Sequence, residues 1–172
     1  MKQFLLTAGG PLLSLERREA PLPEPGANEV RVRIKAVSLN YRDIMIAKGM
    51  YPGVEFPLVP FSDGAGIVEA VGGSVTRVKE GDRVCPIFMQ TWLHGGFRAE
   101  YSPSSLGGQS AGVLSECVCV AEDGVVRIPE HLGFEQAATL PCAAVTAWNA
   151  LFERGALKPG MTVLLQGTGG VS

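Results

Sequence analysis

The hydrophobic residues of this chain fall into short stretches, and one of the longest alternates between apolar and polar positions. Between residues 29 and 37 apolar side chains recur at every second position, which predicts a strand with one buried face. Similar short stretches, several of them bounded by glycine or proline, predict further strands. The predicted strands are residues 2–7, 29–37, 65–72, 83–88, 115–121 and 125–128.

Two segments change from this alternation to a helical spacing. Residues 40–49 place apolar side chains about one turn apart, with Asn40 at the cap position and Gly49 at the end. Residues 135–140 predict a helical turn, and residues 141–151 continue it as a helix, because proline is tolerated at a first helical position. We therefore expect a mainly β chain with a few helices.

The last residues combine a continuous apolar stretch with a glycine-rich turn. Residues 161–166 are typical of a parallel strand buried on both faces. The turn after them would bring backbone amides close to a dinucleotide pyrophosphate, although Ser172 replaces the third glycine of the usual fingerprint. An ordinary left-handed glycine turn is the alternative. The predicted cofactor-binding residues of this turn are Gly167, Thr168, Gly169, Gly170 and Val171.

The order of these elements predicts two domains. Strands dominate residues 1–130, whereas residues 131–172 hold linker helices and the start of a dinucleotide-binding domain. A parallel strand needs parallel neighbours, and none follows residue 166. We therefore expect the full-length protein to continue for at least one more domain. We also expect the 172-residue chain to be inactive alone and to self-associate through its exposed terminal strand.

Composition and charge narrow the classes of function. The chain is 46% hydrophobic and 19% charged, with a formal net charge of −2 and no Lys/Arg run longer than two residues. It therefore lacks the basic footprint of a nucleic-acid-binding protein. It also has no apolar stretch near the length of a membrane span and no signal peptide, so we expect no membrane partner and a cytoplasmic location. Its four cysteines form no CxxC motif and are expected to be buried, reduced thiols.

A block of linked motifs identifies a resemblance to a known superfamily. Residues 62–72 read SDGAGIVEAVG and residues 81–84 read GDRV. Together they resemble the medium-chain dehydrogenase/reductase superfamily, whose pattern is GHExxGxVxxVG followed by a GDRV turn. Further matches occur in the family's order at residues 39–43, 49–52, 138–141 and 146–148 and in the terminal glycine turn. The resemblance implies a GroES-like catalytic domain, a partly open β-barrel, followed by the first strand of a truncated Rossmann domain.

The departures from the family pattern concern zinc. Zinc-dependent members use a cysteine, a histidine-glutamate pair and a later cysteine or aspartate. Here Asn40 or its neighbours occupy the first cysteine position, and Ser62-Asp63 replaces the histidine-glutamate pair. The two histidines, His94 and His131, are at neither ligand position, and the lobe that binds structural zinc is absent. The chain therefore resembles the zinc-free quinone oxidoreductase-like branch, and we predict no metal site.

The resemblance also implies the residues of the cleft. Asn40 and Tyr51 are expected to face the nicotinamide pocket, Thr146 to contact the cofactor from a helix, and Ser62 and Asp63 to line the cleft. Each has a plainer alternative: Asn40 as a helix cap, Tyr51 as an aromatic packed on the barrel, and Thr146 as an ordinary helix residue. The alternative for Ser62 and Asp63 is hydrogen bonding to their own turn. The predicted catalytic residues are Asn40, Tyr51, Ser62 and Asp63.

Two other features admit two interpretations each. Arg42 and Asp43 are adjacent charges in a short helix, where Asp43 would either orient a substrate or form a solvated or structural pair. Residues 89–114, which carry Trp92, Phe97 and Tyr101, form either a wall of the substrate pocket or a mobile surface loop.

Three functions remain open from the sequence. The first is zinc-independent hydride transfer from NAD(P)H, with NADP favoured, to a quinone or an α,β-unsaturated carbonyl, carried out by a homodimer. The second is a zinc-free alcohol dehydrogenase-like oxidoreductase. The third is a non-catalytic GroES-like binding or assembly module.

Overall fold

A computed structural model of the chain describes residues 1–10, 14–167, 169 and 171. Its centre is a five-stranded antiparallel sheet in the order β6-β3-β4-β5-β7, and a separate hairpin pairs β1 with β2. Because β6 and β7 are edges of the larger sheet, that sheet is open. The strands are β1 (Lys2–Leu6), β2 (Leu15–Glu19), β3 (Glu29–Ser38), β4 (Asp63–Val71), β5 (Arg83–Pro86), β6 (Cys117–Ala121) and β7 (Val125–Arg127).

The alternation along β3 builds the main hydrophobic core. Val30 and Val32 are fully buried and pack against Val68 of β4 and Val84 of β5. The intervening polar residues point away, and Arg33 pairs with Glu69 of the neighbouring strand. The six strands predicted between residues 2 and 128 are confirmed, with small differences at the ends.

Strand β2 was not expected from the sequence. Its residues LERRE are exposed along the whole strand, so no buried face reveals them. The strand forms through its ladder with β1, in which Lys2 lies opposite Glu19 and Leu6 opposite Leu15.

The first helix follows the prediction. Helix α1 (Tyr41–Ala47) has Asn40 as its N-cap and is followed by Gly49, whose φ of +69° favours glycine. Ile46 packs with Leu6 and Leu58 in a second apolar cluster. A short 3₁₀ turn, Glu122–Gly124, joins β6 to β7.

A longer helical stretch follows the sheet. Helix α2 (Phe134–Ala138) buries Ala137 and Ala138 in a cluster with Ala65 and Cys85. Beyond it lie a π-helical segment Leu140–Ala144, helix α3 (Val145–Trp148) and a second π-helical segment Asn149–Arg154. The predicted helix is therefore present, but much of it has the wider π-helical turn, which side-chain spacing did not indicate.

The apolar face of this stretch lies at the surface. Trp148 is 61% exposed and packs against Phe152, with ring centroids 4.4 Å apart. No helix among the described residues is long and apolar enough to cross a membrane.

The predicted strand at residues 161–166 is not formed. None of the described strands pairs with this segment, and Leu164 is 86% exposed. A parallel strand is held by hydrogen bonds to neighbouring strands, and no such neighbour is present among the described residues.

The long connection at residues 89–114 is a loop only in its first half. Residues 91–100 are exposed, whereas residues 105–108 and 112–113 are buried. A 3₁₀ helix, Ala99–Ser104, lies between these halves, and Met89 bridges to Ser105. Only residues 91–100 are exposed throughout, as a surface loop would be. Trp92 stacks on Tyr101 and meets Phe97 edge-on within the exposed part and the 3₁₀ helix.

Candidate functional site

A strained turn leads into β4 at the site. Phe61 has a φ of +71°, a left-handed conformation that is unusual for a bulky residue. Two glycines approach its backbone: a Cβ on Gly107 would lie 2.6 Å from Phe61 atoms, and one on Gly112 would lie 2.2 Å from the Phe61 carbonyl oxygen. The backbone of the 107–112 segment therefore clamps Phe61 and fixes the direction of the next two side chains.

Those two side chains, Ser62 and Asp63, are both 0% exposed. Ser62 Oγ donates to Asp63 Oδ1 at 2.9 Å. The backbone N–H of Cys142, in the first π-helical segment, donates to Asp63 Oδ2 at 3.0 Å. Ser62 and Asp63 thus hydrogen-bond within their turn, as the plainer alternative held, and Asp63 also reaches a distant helix.

Asn40 joins this pair from the start of α1. Its backbone N–H donates to the Asp43 carboxylate at 2.8 Å, which begins the helix, and its Nδ2 donates to Ser62 Oγ over a long 3.5 Å contact. Asn40 therefore caps the helix and also contacts Ser62. The structure brings Asn40, Ser62 and Asp63 together, three of the four predicted catalytic residues.

The fourth, Tyr51, lies against Arg42. The Arg42 guanidinium sits 4.8 Å from the Tyr51 ring centroid and 4.7 Å from that of Phe88, so it is held between two aromatic rings. Arg42 also donates to the Leu106 carbonyl at 2.9 Å and to Ser105 Oγ at 3.4 Å. Tyr51 is half-buried and packs on the apolar cluster of Ile46, as expected of an aromatic packed on the barrel.

Asp43 is a buried carboxyl group beside this arginine. It is 5% exposed, and burial raises its pKa from 3.8 to about 6, against the lowering effects of the Asn40 N–H and the Arg42 charge. Its Oδ1 has no hydrogen-bond partner among the described residues. No ion pair joins Asp43 to Arg42 among the described residues, so the expected pairing of these adjacent charges is not formed.

Burial also controls the other titratable groups of the site. It raises the pKa of Asp63, although hydrogen bonds from Asn40, Ser62 and the Cys142 amide oppose the rise. The pKa of the Cys142 thiol is raised by burial and by the nearby Asp63. Cys85, whose Sγ donates to the Ala137 carbonyl at 3.4 Å, has its pKa raised to about 12 by burial. Both thiols are therefore protonated near neutral pH and are poor nucleophiles.

Sequence reasoning missed the two residues that hold the site together. Arg42 anchors both Phe88 and Ser105, the residues that flank the 89–104 excursion. Cys142 enters through its backbone amide, for which residue type and spacing give no signal. Nothing in the sequence indicated that Tyr51 and Phe88 would both pack on Arg42.

The predicted cofactor residues lie in two places. Thr146 is exposed one helical turn beyond Cys142. Gly167 adopts a φ of +86°. Among the described residues no hydrogen bond joins Gly167, Gly169 or Val171 to the Asp63 network. The predicted cofactor residues Thr168 and Gly170 lie outside the described residues.

The backbone of the glycine turn is accessible at two of its described residues. A Cβ placed on Gly167 or Gly169 would meet nothing within 4 Å, so the backbone there is open to an approaching phosphate. Exposed Thr146 offers a hydroxyl one helical turn beyond Cys142, whose amide bonds to Asp63. An open glycine backbone is compatible with a nicotinamide dinucleotide site, but the strand that would lead into the turn is not formed among the described residues.

The donor set around Ser62 does not fit a zinc ion. Catalytic zinc takes three protein ligands, from cysteine, histidine or carboxylate groups. Asn40 and Ser62 offer a neutral amide and a hydroxyl that already contact each other. Within the described ranges no three His, Cys, Asp or Glu side chains form a group able to hold a metal ion, and His94 and His131 are both exposed.

Comparisons with known proteins agree with this fold. The family described as "Alcohol dehydrogenase GroES-like domain" matches residues 26–130. A zinc-type alcohol dehydrogenase-like protein of Schizosaccharomyces pombe is 46% identical over 164 residues, covering 92% of this chain and 47% of that protein. The chain spans about half the length of such relatives.

Solved structures give the same result. The crystal structure of a putative alcohol dehydrogenase from Sinorhizobium meliloti superposes with a TM-score of 0.87 at 45% identity, covering 99% of this chain and 51% of that one. A quinone oxidoreductase of Escherichia coli, solved in complex with NADPH, superposes with a TM-score of 0.72 at 25% identity, covering 90% and 41%. The chain therefore belongs to the alcohol dehydrogenase GroES-like domain family of the medium-chain dehydrogenase/reductase superfamily.

Proposed function

We propose that this chain forms the substrate-side part of a metal-independent, NAD(P)H-dependent reductase of quinones or α,β-unsaturated carbonyls. The observation that carries the proposal is the contact of Asn40 Nδ2 with Ser62 Oγ, continued by the Ser62 hydrogen bond to Asp63. A neutral amide and a hydroxyl, bonded to each other and to one carboxylate, stand at the sequence positions where the resemblance implies the metal ligands of zinc-dependent members.

The proposed substrate class follows from this chemistry. Oxidation of an alcohol requires stabilisation of a developing alkoxide, for which zinc is the usual Lewis acid. A conjugated carbonyl or quinone already has an electrophilic carbon, so positioning and a hydrogen bond to its oxygen supply much of the catalysis. The bound nicotinamide would supply the hydride, and the proton would come from solvent or a hydroxyl group.

Each predicted site residue has a task under this proposal. Asn40 orients the reacting groups through its amide, and Tyr51 forms a wall that Arg42 keeps in place. Thr146 contacts the nicotinamide half of the cofactor from the helix beside Cys142. The glycine turn, Gly167 to Val171, binds the pyrophosphate, with NADP favoured over NAD.

The domain division at residue 130/131 and a homodimeric full-length protein remain part of the proposal. So does the absence of activity in the 172-residue chain alone. The relatives that the chain matches are about twice its length.

A substrate comparison with the full-length protein tests the proposal. NADPH oxidation is followed at 340 nm with 1,2-naphthoquinone and with 2-cyclohexenone, and NADP⁺ reduction is followed with primary and secondary alcohols. Turnover of the conjugated acceptors well above that of the alcohols supports the proposal. Faster alcohol oxidation would favour the alcohol dehydrogenase-like alternative, which the name of the Schizosaccharomyces pombe relative suggests.

A binding measurement separates both enzymes from a non-catalytic GroES-like module. The fluorescence of NADPH is titrated with the full-length protein. A saturable change supports an oxidoreductase, whereas no change at any protein concentration would favour the binding or assembly module.

A further inference from the structure

Asp63 connects two parts of the chain that are far apart in sequence. One carboxylate oxygen accepts from Ser62 and the other from the Cys142 amide, 79 residues away. The side chain is 0% exposed. A buried carboxylate is costly unless its oxygens are hydrogen-bonded, and here each oxygen has a donor.

The segment that Asp63 holds has little other support. Leu140–Ala144, α3 and Asn149–Arg154 contain no buried residue, in contrast to α2 with its buried Ala137 and Ala138. Among the hydrogen bonds of the described residues, the one from Cys142 to Asp63 joins residues 140–154 to the sheet. Because apolar packing contributes little here, the hydrogen bond between Cys142 and Asp63 holds this segment in position.

We propose that Asp63 is a positioning residue: through the Cys142 amide it sets the distance between the Asn40–Ser62 pair and the helical turn that carries Thr146. The inference rests on the proposed function in one respect, because Thr146 is there assigned to the cofactor. Asp63 itself touches neither substrate nor cofactor. It keeps the distance between the substrate side and the cofactor side of the cleft constant.

The hydrogen-bond directions support this role. Asn40 Nδ2 donates to Ser62, and Ser62 donates to Asp63, so the Ser62 hydroxyl is fixed by a donor on one side and an acceptor on the other. The second carboxylate oxygen of Asp63 accepts the backbone N–H of Cys142. A displacement of the helical segment would therefore reach Asn40 through three hydrogen bonds.

The hydrogen bond from the Cys142 amide to Asp63 is called the tether below. Substitution at residue 63 tests it without any cofactor. Hydrogen–deuterium exchange of the Cys142 amide is measured in the full-length wild-type protein, in Asp63→Ala and in Asp63→Asn. Asp63→Ala removes both acceptors and should accelerate exchange at Cys142 about tenfold, the value of one net hydrogen bond. Asp63→Asn retains one acceptor oxygen for the amide and should stay much closer to wild type. Asp123→Ala, a change at an exposed carboxylate, is the matched control and should leave Cys142 unchanged.

Kinetics then test the consequence for the cleft. Asp63→Ala should lower kcat at saturating NADPH about 10- to 100-fold, because small misplacement of reacting groups has effects of that size. Asp63→Asn should recover much of the loss, and Asp123→Ala should match wild type. A role confined to stability would lower the melting temperature while leaving kcat of the folded fraction unchanged.

Each outcome decides the proposal. Unchanged exchange at Cys142 in Asp63→Ala, or faster exchange with unchanged kcat and KM, would overturn it. If Asp63→Ala does not fold, the wild-type protein still provides a test, because free exchange of its Cys142 amide would contradict the tether. A protein that binds no NADPH but shows the predicted exchange would keep the tether and refute the proposed function.

Discussion

Asp43 accepts the backbone N–H of Asn40 at 2.8 Å while 95% of the Asp43 residue is buried. The same carboxyl group thus begins α1 and lies in a poorly solvated place. Because Asn40 also contacts Ser62, the ionisation of Asp43 bears on the geometry of the predicted cleft.

The first prediction concerns the pH dependence of stability. Burial raises the pKa of Asp43 from 3.8 to about 6, so the folded protein binds this proton more tightly than the unfolded chain does. The resulting stabilisation is complete below about pH 4 and is lost as the pH rises through 6. Asp43→Asn keeps an acceptor for Asn40 and has no such proton.

Urea unfolding at a series of pH values measures the effect. Relative to Asp43→Asn, wild type should lose about 2 kcal/mol of unfolding free energy between pH 4 and pH 7, because most of the shift from 3.8 to about 6 is titrated in that range. A difference between the two proteins that does not vary with pH would contradict the assigned pKa.

The second prediction concerns the strained turn before Ser62. Gly112→Ala would place a Cβ 2.2 Å from the Phe61 carbonyl oxygen, so backbone must move and stability should fall by about 1–3 kcal/mol. Gly73→Ala meets nothing within 4 Å and should be neutral or stabilising by about 0.4–1 kcal/mol. Thermal unfolding of the two variants checks this, and equal melting temperatures would argue against the clamp on Phe61.

The third prediction concerns Arg42 as the anchor of the 89–104 excursion. Arg42→Met keeps an unbranched apolar stem but removes the guanidinium, and with it the hydrogen bonds to Leu106 and Ser105 and the cation between Tyr51 and Phe88. The excursion should then open more often. Trypsin should therefore cleave after the exposed Arg98 several times faster than in wild type. His94→Gln, an exposed change in the same excursion, serves as the control, and equal cleavage rates in all three proteins would show that Arg42 is no anchor.

The fourth prediction concerns the 172-residue chain by itself. It exposes Leu164 and Leu165 near its end and Trp148 on α3. Exposed apolar surface of this kind promotes association, so the chain should form oligomers whose mass increases with concentration. Leu164→Ser with Leu165→Ser should reduce the association measured by light scattering. A monomer at every concentration would contradict the prediction.

The elements that could be predicted from the sequence are those whose own residues show a characteristic pattern over a few positions. The valines of β3 alternate, and Asn40 and Gly49 mark the ends of α1, so these elements could be placed from the sequence. The exposed strand β2 has no apolar face, and its pairing with β1 determines it. The π-helical turns of residues 140–154 likewise leave no pattern in side-chain spacing.

The candidate site was predictable only in its residue types. The motif around Ser62 and Asp63 indicated which side chains would lie near a cleft. The tether from Asp63 to Cys142 joins a side chain to a backbone amide 79 residues away, which residue identity does not encode. The unformed strand at residues 161–166 shows a related limit, because a parallel strand depends on its neighbours as much as on its own residues.

The central claim is reduction of a conjugated acceptor without a metal, and the activity of the metal-stripped full-length protein tests it most directly. The protein is dialysed against a chelator, its zinc content is measured, and NADPH oxidation with 1,2-naphthoquinone is followed before and after. We predict unchanged turnover with far less than one zinc ion per chain. Activity that disappears with the metal and returns on addition of Zn²⁺ would contradict the account.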